Sequence, residues 1–376
     1  MNTEGKHLPE SAPLPTIAFF IARHSRSGVP LAQMRLAKAF RRRGFPVDFV
    51  VAHVPEGVAP PSAEGIRVLV LERSRAAAAF FPICRYLRSE RPGVVFSAED
   101  HMNFVVTAAM LATGSRAKLS VSSRVTPFDT YSNKVFTKRW FLKQIATPMG
   151  RRADALVCVS KDMIAQYVSI FGPRPFQCIY NVICDQDSAT KMQQPVLDEP
   201  WLQEKDVPVV ISAGRLAPEK GFPDLIRAIR IVRETRPVRL LILGEGPLGP
   251  ELERLIDAEG VRDAVKLIGF RSNPHQYFSR SDVFVLSSYV EGLPNVLVEA
   301  MECGCTPVAT DCPTGPREVL QDGRYGQLVP THDPVAMAAA IVQALDRPMS
   351  AELLREAIQP FTEARVIQKH RESLGI

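Results

Sequence analysis

The chain has 376 residues, 46% hydrophobic and 23% charged, the composition of a folded globular protein too long for one ordinary core. No run of 18 apolar residues is present to cross a bilayer, and the first fifteen residues, with Glu4, Glu10 and three prolines, lack the apolar core of a secretory signal. The net charge of +6 divides unevenly: residues 1–185 carry 25 Lys and Arg against 13 Asp and Glu, a net +12, while the remainder carries a net −6. That asymmetry marks the first half as the one to meet an anionic partner. Seven cysteines without a C-x-x-C pair read as buried reduced thiols, and the C-x-C of Cys303 and Cys305 is weak as a metal site.

After a tail over 1–15, expected to be disordered, short β-branched runs alternate with helical patterns. Strands are predicted at "TIAFFIA", "VDFVVA", "IRVLVL", "GVVFSA", "KLSVSS" and "ALVCVS", with amphipathic stretches such as "LAQMRLAKAFRRRG" between them, the last closed by Gly44 as a C-cap. A polar segment, "CDQDSATKMQQPVLDEPWLQEKD", reads as a linker. The alternation restarts with "PVVISAG", a helix over 221–235, "VRLLILG", a helix from about 250, "VKLIGF", "DVFVLSS", a helix from about 294 and "TPVATD". Continuous apolar strands separated by helices predict parallel sheets covered on both faces. The fold class is therefore α/β, with two doubly wound Rossmann-like domains facing across a crevice. Their expected limits are 16–184 and 207–348, joined by a linker over 185–206. Helices over 349–376 are expected to pack back toward the first domain.

Ligands of such sheets bind at the carboxyl ends of strands, so the loops after the strands carry the candidate chemistry. In "SAGRLAPEKG", Arg215 and Lys220 flank a loop that opens a helix near Gly221. Two cations beside a helix N-terminus suit a diphosphate, although a solvated loop would look similar in isolation. In "EGLPNVLVE", Glu291 precedes a turn and Glu299 sits inside a helix that otherwise reads as buried. A carboxylate withdrawn from water costs several kcal/mol unless it is paired, so Glu299 has either a protein partner or a ligand.

"LILGEGPLGPEL" spaces Gly244, Gly246 and Gly249 as G-x-G-x-x-G, but the next strand ends in Phe270 and Arg271 where a dinucleotide site needs an acid. A tight turn near the crevice is the better reading. In "ARHSRSGVP", Gly28 would let the backbone approach a ligand from the opposite domain. The "DQD" at 185–187 reads as solvated linker charge, the seven histidines are dispersed, and no G-x-S-x-G appears.

With the G-R-x-x-x-x-K-G loop, the E-x7-E segment and "ATDCPTGPREVL" in this order, the chain resembles the retaining, nucleotide-sugar-dependent glycosyltransferases of family 4, which have the GT-B fold. The resemblance is strong over about 205–345 and looser over 16–181. It implies that Arg215 and Lys220 hold the donor diphosphate and that Glu291 binds hydroxyls of the donor sugar. The backbone of Gly292, Leu293, Pro294, Asn295 and Val296 would assist at the helix start, and Glu299 would accept from the ribose hydroxyls. Gly28, Gly214, Gly244, Phe270 and Arg271 complete the expected donor side. Family members often carry a His after an N-domain strand near the reacting sugar; "SVSSRV" puts Arg124 at that place. His101 and Asn103 are further candidates to face the acceptor.

The resemblance further implies retention without a metal or other cofactor, by front-face displacement in which the leaving phosphate helps to deprotonate the acceptor. The expected partners are a nucleotide-sugar donor and a glycan or lipid-diphosphate-linked acceptor, as in bacterial polysaccharide assembly, with no nucleic acid. A sugar-nucleotide epimerase and a non-catalytic sugar-nucleotide binder share the two-domain layout and stay open at this point. Cations and aromatics interleave in "FRRRGF" at 40–45 and "KVFTKRWFLK" at 134–143, where Trp140 and Phe141 lie beside Lys138, Arg139 and Lys143. This pattern predicts docking on an anionic membrane surface, hence a cytoplasmic protein peripheral to the inner face of the membrane.

Overall fold

A computed structural model describes residues 13–25, 28–124 and 126–376. The first twelve residues of the expected tail therefore lie outside the described residues, as do Arg26 and Ser27 of the first loop. The chain divides into two units, one reaching Ser122 and including Met149–Asp154, the other holding Ser123–Pro148 and Ala155–Ile376.

The first unit is built from β1 (Ile17–Arg23), α1 (Gly28–Arg42), β2 (Val47–His53), β3 (Ile66–Val70), α2 (Phe80–Glu90), β4 (Val94–Ala98), α3 (Asp100–Thr113) and β5 (Lys118–Ser123). The strands pair in parallel in the order β3-β2-β1-β4-β5, with Ile17 opposite both Val47 and Val94. Five consecutive residues of β1, Ile17 to Ile21, are buried, as a strand covered on both faces requires. Phe19 stacks on Phe96 at 4.8 Å between ring centroids, and Phe40 meets Phe45 edge-on. Both rings of "FRRRGF" are therefore core residues, and that stretch offers no aromatic to a membrane.

The second unit opens with α4 (Lys138–Met149), β6 (Ala155–Cys158), α5 (Lys161–Phe171) and β7 (Phe176–Cys178), where β6 and β7 pair in parallel. Two short helices follow, α6 (Ser188–Gln193) and α7 (Pro200–Gln203). The second sheet and its connecting helices run β8 (Val209–Ala213), α8 (Phe222–Arg233), β9 (Arg239–Leu243), α9 (Gly249–Ala258), β10 (Val265–Gly269), α10 (His275–Phe278), β11 (Val283–Leu286), α11 (Asn295–Glu302), β12 (Thr306–Thr310), α12 (Pro316–Val319) and β13 (Gln327–Val329). The chain ends in α13 (Pro334–Asp346), α14 (Ala351–Ile358) and α15 (Glu363–Leu374).

Strand order in this sheet is β10-β9-β8-β11-β12-β13, all parallel. Alternate residues of β11 serve opposite faces: Val283 and Val285 pack with α8 and α13, while Phe284 and Leu286 pack with α11 and α14. The strands β7 and β13, three residues each, were not expected, being too short to show a period.

The segment read as a linker is folded. Asp185, far from being solvated, has a side chain only 3% exposed that accepts from the backbone N–H of Asp187 at 3.0 Å and pairs with Lys191 at 3.5 Å. Residues 183–184 are stitched to the start of α15 by Ile183 N to Phe361 O at 3.1 Å and Glu363 N to Cys184 O at 3.0 Å. All seven cysteines are free thiols, five of them buried. Among the described residues no helix is long and apolar enough to cross a membrane.

Because α11 lies under the sheet, its acids are buried with it: Glu299 is 7% exposed, and Glu302 is screened from solvent beside His275, whose Nε2 is 3.9 Å away. Burial, reinforced by the charges of Asp185 and Glu299, pushes the Glu302 carboxyl up to about 7. A carboxyl raised above its unfolded value of about 4.3 favours folding below that value and loses the contribution as pH climbs toward 7. Glu302→Gln should therefore gain on the wild type by roughly 1–3 kcal/mol between pH 5 and pH 8 in urea unfolding. Unfolding free energies that run parallel across that range would contradict the burial assigned to this group.

Candidate functional site

The second sheet delivers five loops at the carboxyl ends of β8 to β12, and glycine allows two of them to close. Gly244, at φ +138°, follows β9, and a Cβ there would stand 1.9 Å from the Gly214 carbonyl oxygen. Gly221, at φ +62°, opens α8, and its Cβ would stand 2.0 Å from the Ser287 carbonyl oxygen. Both need the left-handed or glycine-only backbone as well as the missing side chain. The G-x-G-x-x-G spacing thus serves backbone packing against the β8 loop.

Lys220 and Glu291 meet where these loops converge. Lys220 Nζ lies 2.5 Å from Glu291 Oε1, and Ser288 Oγ donates to the same oxygen at 2.7 Å. The two charged side chains are 22% and 11% exposed, a half-buried pair. The loops that carry them are laced together: Ser287 Oγ donates to Lys220 O at 2.7 Å, and Tyr289 N donates to Glu219 O at 2.8 Å. From the other side, "ATDCPTGPREVL" supports Glu291. Its backbone N–H donates to Pro313 O at 2.8 Å, its carbonyl accepts from Thr314 N at 2.9 Å, and Thr314 Oγ1 donates to Gly292 O at 2.8 Å.

Arg215 takes a different position. Its guanidinium is 69% exposed and pairs with Glu219 at 2.6 Å within its own loop. That hydrogen bond, ahead of other causes, holds the Glu219 carboxyl below its usual value. An exposed ion pair is worth only about 0.2–1 kcal/mol, so Arg215 is easily released to another anion. Glu299 lies one helical turn into α11, behind Asn295 and Val296, with Leu293 and Pro294 buried ahead of the helix. Phe270 is partly exposed at the end of β10, and its N–H reaches Glu245 Oε1 at 3.4 Å. Arg271 is engaged with Tyr277 at 2.8 Å and Asp198 at 3.0 Å.

Arg124 belongs to this unit as well. Its NH1 donates to Asn181 Oδ1, and Asn181 Nδ2 donates to Asn295 Oδ1 at 2.8 Å. Of the remaining candidates, all in the first unit, Gly28 opens α1 with open space where a Cβ would stand. His101 is exposed, 3.7 Å from Glu99. Asn103 spends its Nδ2 on Ser122 O at 3.0 Å, a bond from α3 to the end of β5. Among the described residues no three His, Cys, Asp or Glu side chains gather as a metal site.

Ser288, Thr314 and Asn181 also hold these loops together without standing out in the sequence. Ser288 and Thr314 lie inside quoted motifs, so neighbourhood could have flagged them. Asn181 carries no local signal, because its partner Asn295 is 114 residues away.

Two family models cover most of the chain: "Glycosyl transferases group 1" over residues 193–360 and "Glycosyl transferase 4-like domain" over residues 27–180. The N-acetylgalactosamine-N,N'-diacetylbacillosaminyl-diphospho-undecaprenol 4-alpha-N-acetylgalactosaminyltransferase of Campylobacter jejuni is 30% identical over 267 residues, covering 70% of this chain and 68% of that protein. A second C. jejuni protein, an alpha-1,4-N-acetyl-D-galactosaminyltransferase acting on GalNAc-alpha-(1->4)-GalNAc-alpha-(1->3)-diNAcBac-PP-undecaprenol, is 26% identical over 91% of this chain and 92% of its own length. Among solved structures, Anabaena HepE in complex with UDP and glucose superimposes with a TM-score of 0.74 at 20% identity, over 96% of this chain and 99% of that one. With two parallel α/β sheets, both family models and a relative matched at this identity over this length, the chain belongs to the family 4 glycosyltransferases of GT-B fold.

Proposed function

We propose that the protein transfers a hexose or N-acetylhexosamine, with retention and without a metal, from a nucleoside diphosphate sugar to a glycan carried on a lipid diphosphate. Residues 16–184 form the acceptor side in this reading and 207–348 the donor side. The observation that carries it is the Lys220–Glu291 pair, a half-buried cation and carboxylate held together at the carboxyl ends of parallel strands. In the reaction the bond from the anomeric carbon to the diphosphate breaks and its electron pair stays on the leaving oxygen. The acceptor hydroxyl bonds to the anomeric carbon, and its proton passes to the departing phosphate.

Lys220, with Arg215 swung from Glu219, stabilises the charge that grows on the diphosphate, a role worth about 3–4 kcal/mol per well-placed donor. Glu291, freed of Lys220, accepts from the sugar hydroxyls, with the amide groups at the start of α11 beside it. Glu299 accepts from the ribose hydroxyls, while Gly214, Gly244, Phe270 and Arg271 line the remainder of the donor site. Both C. jejuni relatives are named for acceptors on diphospho-undecaprenol, which supports the lipid-linked acceptor.

The membrane surface is supported by α4 and the turn before it. Phe136 is 84% exposed and Phe141 53%, with Val135, Leu142 and Ile145 also outward, alongside Lys134, Lys138, Arg139 and Lys143. Exposed aromatics among cations fit an interfacial helix, each cation contributing ~1 kcal/mol near an anionic surface. The protein would then work peripherally on the cytoplasmic face.

Incubation with a panel of UDP-glucose, UDP-galactose, their N-acetylhexosamine counterparts and GDP-mannose, in EDTA and with a lipid-diphosphate-linked glycan, tests the reading. One donor should be consumed only when acceptor is present, with the anomeric configuration preserved by NMR. Lys220→Ala should lower kcat by about 100-fold or more without loss of fold. Conversion of a donor with no acceptor would indicate an epimerase, and no turnover of any donor a binder. Vesicle co-sedimentation addresses the surface: binding should need anionic lipid and weaken as salt rises. Equal partitioning to neutral and anionic vesicles, or none, would leave a soluble acceptor.

A further inference from the structure

The chain Arg124–Asn181–Asn295 is polar, half-buried and has a direction. A guanidinium can only donate, so the amide oxygen of Asn181 must face Arg124. Its Nδ2 then faces Asn295, and must find an acceptor there, so Oδ1 of Asn295 is turned inward at 2.8 Å. What Asn295 offers away from this chain is its Nδ2, a pair of donor N–H bonds at the first residue of α11. A full charge at the far end of two aligned amides polarises them in the same sense, strengthening the final donor.

The chain is held in place from several sides. Asn181 is 8% exposed. The Arg124 backbone passes so close to the donor loop that a Cβ on Gly292 would stand 3.0 Å from the Arg124 carbonyl oxygen. Behind it, His370 of α15 is buried, its imidazole pushed down to about 3 by burial first and by the Arg124 charge second, so it stays neutral beside the guanidinium.

We propose that Arg124 and Asn181 are positioning residues: they fix the orientation of the Asn295 amide so that Nδ2 donates to an oxygen of the bound nucleotide sugar at the start of α11. The inference rests on the donor site proposed above. It gives Arg124 a part in the reaction that needs no contact with the sugar, and it gives Asn295 a side-chain role besides that of its backbone.

Asn181→Asp isolates this role. The introduced carboxylate still accepts from Arg124 but cannot donate, so the Asn295 amide must turn over and present its oxygen to the donor. With the panel donor that the wild type uses best, kcat/KM should fall at least tenfold in the otherwise wild-type protein. In an Asn295→Ala background, where no amide remains to be turned, the same substitution should cost less than twofold. Circular dichroism melting checks that the fold is retained. If Asn181→Asp does not fold, Arg124→Met, which releases the Asn181 amide to rotate, is expected to show the same dependence on background.

Equal losses in both backgrounds, or no loss in the first, would overturn the positioning role. A wild type inert toward every donor would overturn the proposed function and this inference with it. An active wild type with equal losses would overturn the inference alone.

Discussion

Lys220 and Glu291 are 71 residues apart in sequence and 2.5 Å apart in the structure, and the loops at the carboxyl ends of β8, β11 and β12 are hydrogen-bonded to one another around them. Two half-buried charges have each lost part of their hydration, and either alone would cost several kcal/mol. Together, with Ser288 on the shared oxygen, they are satisfied. The loop after β8 and the loop after β11 are thereby tied at their tips as well as by Ser287 and Tyr289 along their backbones. A ligand bringing its own negative charge to Lys220 and its own hydroxyls to Glu291 replaces this pair without leaving a charge stranded. On the proposed reading the ion pair is the resting form of the donor site.

The parallel sheet supplies the geometry. Parallel strands place all their carboxyl ends on one edge, and each following helix begins there with its N–H groups unspent. In α11 this arrangement meets a second demand: the helix is buried beneath β11 and β12, so its acids leave water with it. Glu299 and Glu302 are consequences of one packing decision. Glu302 sits among Asp185, Ser188 and Cys184, a neighbourhood assembled by the folded segment before β8, and its raised proton affinity records that burial.

Repetition and contrast made much of this legible in the sequence. Strand–helix alternation announced two parallel sheets because fully buried strands must be continuously apolar, and the three motifs in order pointed to the family to which the chain belongs. Lys220 and Glu291 could be singled out only in combination, because either loop alone passes for ordinary solvated charge while cations and acids recurring in order at successive strand ends do not. Other features depended on distance. β7 and β13 are too short to carry a period, and Asp185 reads as solvated until α6 folds over it. "FRRRGF" reads as interfacial until Phe40 and Phe45 close on each other in the core. Asn181 is an unremarkable residue between hydrophobics, and only the folded chain sets it between Arg124 and Asn295.

On the proposed reading one strand edge reads two parts of a donor, the sugar through Glu291 and the nucleoside through Glu299. Calorimetric titration of Glu291→Gln and Glu299→Gln with both the nucleoside diphosphate and the intact nucleotide sugar tests it directly. Glu299→Gln should weaken both ligands, because both contain the ribose. Glu291→Gln, in which Lys220 is already released, should bind the nucleoside diphosphate at least as tightly as the wild type and lose affinity for the sugar-bearing donor alone. Two variants that behave identically toward the two ligands would contradict this division of the site.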